Sequence, residues 1–252
     1  PNVPAWRDHG FGGGPIGVEL AQAHAGLGSH VTIVTAGSIL SRDDPEMVDL
    51  LRRRLKRDGI ALVEQAEIER IEGGAVHARI GDEHRAVSFT HLLVAAGRRA
   101  TIEHLGLDLA GVETDKGGIK VDARLRTTNR KIFALGDCVS GGPQFTHAAG
   151  YQAGILIRNL IFRLPAKVDY TALPRVTYTS PELASVGLSE AEARAKSGEI
   201  RILRWAMAEN DRARAERELE GHVKANVSPK GVMLGATILG QCAGELIQPW
   251  VL

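Results

Sequence analysis

Aromatic side chains are scarce in this chain of 252 residues: three Trp, three Tyr and five Phe, 4% in all. Stacking platforms for bases are hard to build from so few rings. Lys plus Arg (31) match Asp plus Glu (30), so no basic field exists to track a phosphate backbone. Neither feature favours a nucleic-acid partner. Cysteine is nearly absent: Cys138 and Cys242 lie far apart and form no C-x-x-C pair, which argues against a disulfide framework or a metal site. Each is expected to be a small buried apolar residue. No apolar run is long enough for a membrane span, and the first residues lack the basic-then-apolar pattern of a signal peptide. The expectation is a cytoplasmic protein without membrane contact. At 44% hydrophobic and 24% charged, the chain has the composition of a globular protein with one large or two modest domains.

Glycine, by contrast, is plentiful at 29 residues, and one cluster organises the rest. Gly12-Gly13-Gly14-Pro15-Ile16-Gly17-Val18-Glu19 is a G-x-G-x-x-G sequence running into a helical segment that ends near Gly28. Glycines let the backbone turn tightly and approach a pyrophosphate, while the following helix offers N–H groups and the positive end of its dipole. The same sequence also serves as a purely structural turn. Ile16, Leu20, Ala23 and Leu27 are spaced as one apolar helix face, and residues 31–34 (VTIV) form a β-branched run suited to a buried strand. Turn, helix and strand come in the order of a dinucleotide-binding βαβ unit.

Two features fit that unit poorly. Residues 1–11 hold Pro4, Arg7, Asp8, His9 and Gly10 and no apolar run, so the first sheet strand is expected to be missing, displaced or made from poor material. At the end of the second strand, where an acid commonly binds the ribose hydroxyls of NAD, stand Thr35 and Ala36. Arg42 suits a 2′-phosphate or is a solvated loop arginine, so the coenzyme stays open between NAD and NADP. Asp44 before Pro45 has the form of a helix N-cap with proline at N1.

Further on, Met47, Leu50, Leu51 and Leu55 predict a helix ending at Asp58-Gly59, and residues 60–63 a parallel strand. Residues 68–89 alternate between turns as an antiparallel meander, and residues 92–97 (LLVAAG) predict a buried closing strand. Residues 98–130 form a connection with short strands. Residues 131–137 (KIFALGD) predict a strand whose terminal Asp137 either accepts hydrogen bonds from a polyhydroxyl chain or occupies an ordinary turn. A helix through Ala153, Leu156 and Leu160 to about Leu164 follows; His147 in its first turn is a packing residue or an acid–base group. After Pro165, strands at 175–179, 183–186, 200–206, 221–226 and 232–239, with a helix capped by Ser189, predict a separate α+β layer. Residues 244–248 begin a last helix.

Residues 12–21 (GGGPIGVELA), 95–98 (AAGR), 127–137 (TTNRKIFALGD) and 181–187 (PELASVG), with 209–213 and 243–248, resemble the pyridine nucleotide-disulfide oxidoreductases. The likeness covers almost everything after Phe11 and is strongest to the dihydrolipoamide dehydrogenase and mercuric reductase branches. It implies an α/β fold: a Rossmann-like NAD(P)-binding domain over 1–97 with parallel sheet and meander, part of an FAD-binding domain over 98–170, and an incomplete interface domain over 171–252 that forms a homodimer. It implies hydride transfer from NAD(P)H through FAD to a disulfide or thiol substrate, or to Hg(II). Carried over residue by residue, Gly12, Gly13, Gly14, Pro15, Ile16 and Gly17 would hold the coenzyme pyrophosphate. Glu19 would act near the nicotinamide, and Thr35, Ile68 and Gly97 would border the nucleotide. Asp137 would bind the ribityl chain, and Gln144, Phe145, Thr146 and His147 would lie at the flavin. No metal site is implied. The family's first FAD motif, its C-x-x-x-x-C pair and its His-Glu pair have no match in this chain. It therefore has the look of a fragment, expected inactive by itself, and the opposing expectation is a non-catalytic nucleotide-binding or assembly module.

Overall fold

The structure, a computed structural model, describes residues 2–6, 12–95 and 97–251. It divides into two compact units, Pro1–Gly97 with Pro174–Leu252, and Arg98–Leu173. The first unit opens with β1 (Asn2–Trp6), α1 (Pro15–Gly26), β2 (His30–Val34), α2 (Pro45–Arg57) and β3 (Ala61–Val63). A meander of β4 (Ala66–Glu72), β5 (Ala75–Ile80) and β6 (Glu83–Ser88) precedes β7 (Leu93–Val94). The order β3-β2-β1-β7, parallel throughout, is a crossover sheet with the meander as a separate three-stranded sheet.

The strand that composition failed to show is present. β1 pairs with β2 from Asn2↔His30 to Trp6↔Val34 and with β7 at Ala5↔Leu93, so it occupies the sheet centre. Main-chain pairing with neighbours on both edges defines a parallel strand whatever its side chains. Arg7, Asp8, His9, Gly10 and Phe11, which counted against a strand, lie outside the described residues.

The buried face of α1 also differs from the expected stripe. Gly17, Val18 and Ala21 are buried, whereas Ile16 is 45% and Leu27 84% exposed, and Leu20 is exposed too. The helix rests on β1 and β2 at close range, where only small residues fit. A Cβ on Gly17 would sit 1.9 Å from the Gly12 carbonyl oxygen. Val18 and Ala21 join Val31, Ile33, Met47, Leu51 and Leu55 in the main core. α2 starts as expected: the Asp44 carboxylate accepts from the backbone N–H groups of Glu46 (3.1 Å) and Met47 (3.4 Å), with Pro45 at N1. The closing strand is weaker than expected. β7 has two residues and a single neighbour, and Val94 is 58% exposed, because an edge strand is covered on fewer sides.

The second unit contains a small hairpin, β8 (Thr114–Asp115) with β9 (Gly118–Ile119), and one long helix, α3 (Thr146–Leu160). No strand forms over 131–137. One antiparallel bridge, Arg126↔Phe133, precedes a 3₁₀ turn at Gly136–Cys138, since no neighbouring strand continues the ladder. α3 stops short of Leu164. The residue before Pro165 disfavours helix, and the Asn159 amide ties both backbone groups of Ala166 at 2.9 Å.

The first unit resumes with β10 (Arg175–Thr177), β11 (Glu182–Gly187), α4 (Glu190–Ser197), β12 (Arg201–Ala206), α5 (Asp211–Glu216), β13 (His222–Val227), β14 (Met233–Gly240) and α6 (Ala243–Leu246). The strands form one antiparallel sheet ordered β10-β11-β14-β13-β12. Ser189 caps α4 in a reciprocal capping box with Glu192. Leu183 and Leu239 of this sheet enter the same core as Val18 and Ile33. Neither cysteine is the buried apolar residue expected: Cys138 is half-exposed in the 3₁₀ turn and Cys242 is exposed in a left-handed position before α6. Cys138 closes its 3₁₀ turn and Cys242 directly precedes α6, so both sit at element ends, where burial is poor.

Candidate functional site

The glycine turn is shaped by close approach. A Cβ on Gly13 would lie 2.7 Å from Thr35 Oγ1, and Gly13 O accepts from Leu40 N at 2.7 Å. Glycine is therefore required at positions 13 and 17 for the turn to pack between β2 and α1. α1 opens with Gly14 as N-cap and Pro15 at N1, with no side chain capping it. Its first-turn N–H groups thus have no side-chain acceptor, which leaves them and the positive helix end to an anion. Pro15 and Ile16 are exposed beside them. The cradle fits a pyrophosphate.

Glu19, half-exposed in the next turn, accepts a hydrogen bond through Oε1 from Tyr178 N at 2.8 Å. Burial raises the Glu19 carboxyl above its ordinary value, and the Tyr178 N–H partly offsets this. Thr35 directly follows β2 and is 1% exposed, filling the space against Gly13, so no acid stands there. Arg42 is exposed, and neighbouring Asp43 is raised by burial against the pull of Arg175 and Arg42. Ile68 lies half-buried on β4 opposite Ala78, packed against the Val34, Val63 and Val76 cluster. Gly97 has φ +98°, backbone that favours glycine. Around the turn the structure gathers residues 12–17, Glu19 and Thr35; Ile68 belongs to the meander layer.

In the second unit, Asp137 is exposed in the 3₁₀ turn. Arg98 Nη1 donates to its Oδ2 at 2.8 Å, and Arg98 Nη2 donates to Gln144 O at 2.7 Å. Asp137 Oδ1 has no partner among the described residues. Gln144 Nε2 reaches Asp137 O at 3.5 Å, and Phe145 stacks on His147 with centroids 5.3 Å apart. α3 begins at Thr146 without a side-chain cap. Buried Gln152 holds the segment from below, its Oε1 accepting from Gly136 N at 2.5 Å and its Nε2 donating to Tyr170 OH at 2.8 Å. An open carboxylate oxygen beside an uncapped helix start suits hydroxyl donors and an electron-rich ring edge.

Sequence reasoning missed Gln22, Tyr178 and Ser180. Gln22 follows Glu19 at i+3, a spacing that puts both on one side of a helix. Their partners lie 158 and 159 residues away, and no local pattern announces them. Lys224 was missed for the same reason. Among the described residues no group of three or more His, Cys, Asp or Glu could hold a metal, and no helix is long and apolar enough to cross a membrane.

A parallel sheet with a glycine-bordered helix start, joined in one unit to a five-stranded antiparallel sheet, has close counterparts. Residues 11–153 match the pyridine nucleotide-disulphide oxidoreductase family, and residues 173–252 match that family's dimerisation domain. The chain belongs to the pyridine nucleotide-disulphide oxidoreductases. It is 38% identical to a dihydrolipoyl dehydrogenase of Geobacillus stearothermophilus over 94% of this chain and 52% of that protein. It is 37% identical to a mercuric reductase of Bacillus cereus over 94% of this chain and 38% of that protein. A solved structure, the HOCl-induced flavoprotein disulfide reductase RclA from Escherichia coli, superposes with a TM-score of 0.87 at 32% identity, covering 99% of this chain and 57% of RclA. The chain thus spans about half, or less, of the length of these relatives.

Proposed function

We propose that this chain supplies the nicotinamide site and part of the flavin site of an FAD-dependent NAD(P)H oxidoreductase acting on a disulfide or thiol, in the manner of dihydrolipoyl dehydrogenase. The observation that carries this is the cradle at residues 12–17 with the Glu19 carboxylate fixed one turn beyond it. Residues 1–97 are the NAD(P)-binding domain, 98–170 the chain's share of the FAD domain, and 171–252 the interface domain, through which two copies pair. The first-turn amides of α1 hold the pyrophosphate, and Gly13 and Gly17 let it come close. Glu19 Oε1 is taken by Tyr178 N, so Oε2 accepts from the carboxamide and orients the ring. Thr35, Ile68 and Gly97 border the nucleotide, and Arg42 is the cation nearest in sequence to the ribose position. Asp137 Oδ1 takes ribityl hydroxyls, while Gln144, Phe145, Thr146 and His147 flank the flavin. Once bound, the two cofactors supply hydride transfer from the nicotinamide to the flavin. The setting is cytoplasmic.

A mercuric reductase activity is the alternative within the family, supported by relatives of equal similarity. A non-catalytic nucleotide-binding module is the alternative of another class. Titration of the chain with NADH and NADPH, followed by nicotinamide fluorescence, tests the site. Glu19→Ala is expected to weaken binding about tenfold, a loss of about 1.4 kcal/mol, with the fold intact. Equal affinity in both proteins would remove Glu19 from the site. Flavin absorbance after FAD addition, with NAD(P)H-dependent dye reduction, separates an oxidoreductase from a passive module.

A further inference from the structure

Gln22 has each polar atom of its amide engaged. Nε2 donates to Ser180 O at 2.9 Å and to Asp58 Oδ2 at 2.7 Å, and Oε1 accepts from Ser180 N at 2.7 Å. One residue's N–H and C=O are therefore both bonded by one side chain, as a neighbouring strand would bond them. Glu19, on the same side of α1, takes the N–H of Tyr178, two residues earlier. In extended backbone, alternate N–H groups point to the same edge. β10 is the outermost strand of its sheet, paired only with β11 over 175–177, so the chain just beyond it has an open edge. Side chains of α1 fill that edge in place of a strand. Asp58 anchors the far side of the Gln22 amide and is itself held by Arg54 Nε at 2.9 Å.

We propose that Gln22 is a positioning residue for the coenzyme: by fixing residue 180 against α1 it places the Tyr178 N–H that occupies Glu19 Oε1, and so aims Oε2 at the carboxamide. This rests on α1 being the coenzyme helix. Gln22 itself touches no coenzyme atom; without it, the 178–180 segment drifts from α1 and Glu19 loses the donor that selects its rotamer.

The test is a double-mutant cycle on NADH affinity in the full chain, with amide hydrogen exchange. Gln22→Ala should weaken NADH about fivefold and Glu19→Ala about tenfold, and the double variant should lose about tenfold rather than about fiftyfold, because both act through one carboxylate. Exchange at Tyr178 and Ser180 should accelerate at least about tenfold in Gln22→Ala, while Ile238 in the core of the same sheet is unchanged. Gln22→Glu keeps the side-chain volume but offers Ser180 O no donor, and should show the same selective acceleration. A fiftyfold loss in the double variant, or acceleration at Ile238 equal to that at Ser180, would make Gln22 a structural residue only and leave the nicotinamide site standing. Failure of the unaltered chain to bind NADH or NADPH would remove both.

Discussion

Gly17 and Gly26 belong to the same helix and would receive a methyl group very differently. At Gly17 the added carbon falls 1.9 Å from the Gly12 carbonyl, a contact only backbone movement relieves; at Gly26 nothing lies within 4 Å. Gly17→Ala is expected to cost about 2 kcal/mol or more and to abolish nucleotide binding, while Gly26→Ala should stabilise by about 0.5–1 kcal/mol. Paired denaturation midpoints decide it. Glu19 gives a pH signature. Its folded-state carboxyl titrates above the ordinary value of 4.5, first because burial disfavours the charge. The folded state then holds the proton more tightly than the unfolded chain, so Glu19 takes stability away as pH rises through that window. Glu19→Gln removes this loss, and its melting temperature relative to the unaltered protein should rise as pH increases through and above about 4.5, the unfolded value. A constant difference would mean that the carboxyl is not shifted. The glycines and Glu19 were legible because their spacing is local. Thr35 was legible only as a missing acid; that it packs under Gly13 depends on the helix–strand distance.

At the scale of elements, Lys224 on β13 joins the start of α2 to the five-stranded antiparallel sheet. It is 4% exposed, and Nζ lies 2.7 Å from Asp44 Oδ2, 3.0 Å from Glu46 Oε2 and 2.8 Å from Glu190 Oε2. Burial pulls its pKa down, but the bonds to Asp44, Glu190 and Glu46 outweigh this and leave it raised. Glu46, bonded above all by Arg204 and also by Lys224, is held at about 2. Lys224→Met would leave the buried Asp44 carboxylate without its cation, and a loss of about 3–5 kcal/mol is expected. Because Glu46 is depressed, its contribution is complete above about 4.5, the unfolded value, and is lost as pH falls towards about 2. Glu46→Gln should flatten the acid limb of a stability–pH curve; an unchanged limb would mean that the network does not couple to folding. Asp44 was recognised as a helix cap from its Asp-Pro signature. Its second task, receiving Lys224, joins residues 180 positions apart and has no signature.

At the scale of the molecule, burial is uneven. The first unit holds a core that runs through both of its sheets, from Val18 and Ile33 to Leu183 and Leu239. The second is built around small clusters, Val112, Ile119, Ala134 and Val139 in one and Leu125, Ile155 and Leu156 in another, and its α3 ends among exposed Ile157, Leu160, Ile161 and Phe162. Local opening follows buried apolar support, so amides over 98–145 should exchange at least about tenfold faster than those of β11 and β14. Equal protection across the chain would mean that the two units unfold as one.

What the sequence determined by itself was carried by near neighbours: the glycine turn, the caps at Asp44 and Ser189, the meander turns and the helices α1, α2 and α4 between their strands, since hydrogen-bond geometry and side-chain periodicity act within a few residues. Only the tertiary structure decided which face of α1 is buried, because closeness to the sheet selected Gly17, Val18 and Ala21 over the larger Ile16 and Leu20. It also decided that Asn2–Trp6 is a central strand, through pairing on both edges, and that 131–137 is not one, through the lack of a partner. The partners of Glu19, Gln22 and Lys224 were likewise settled by folding, which brings together groups that the chain order keeps far apart.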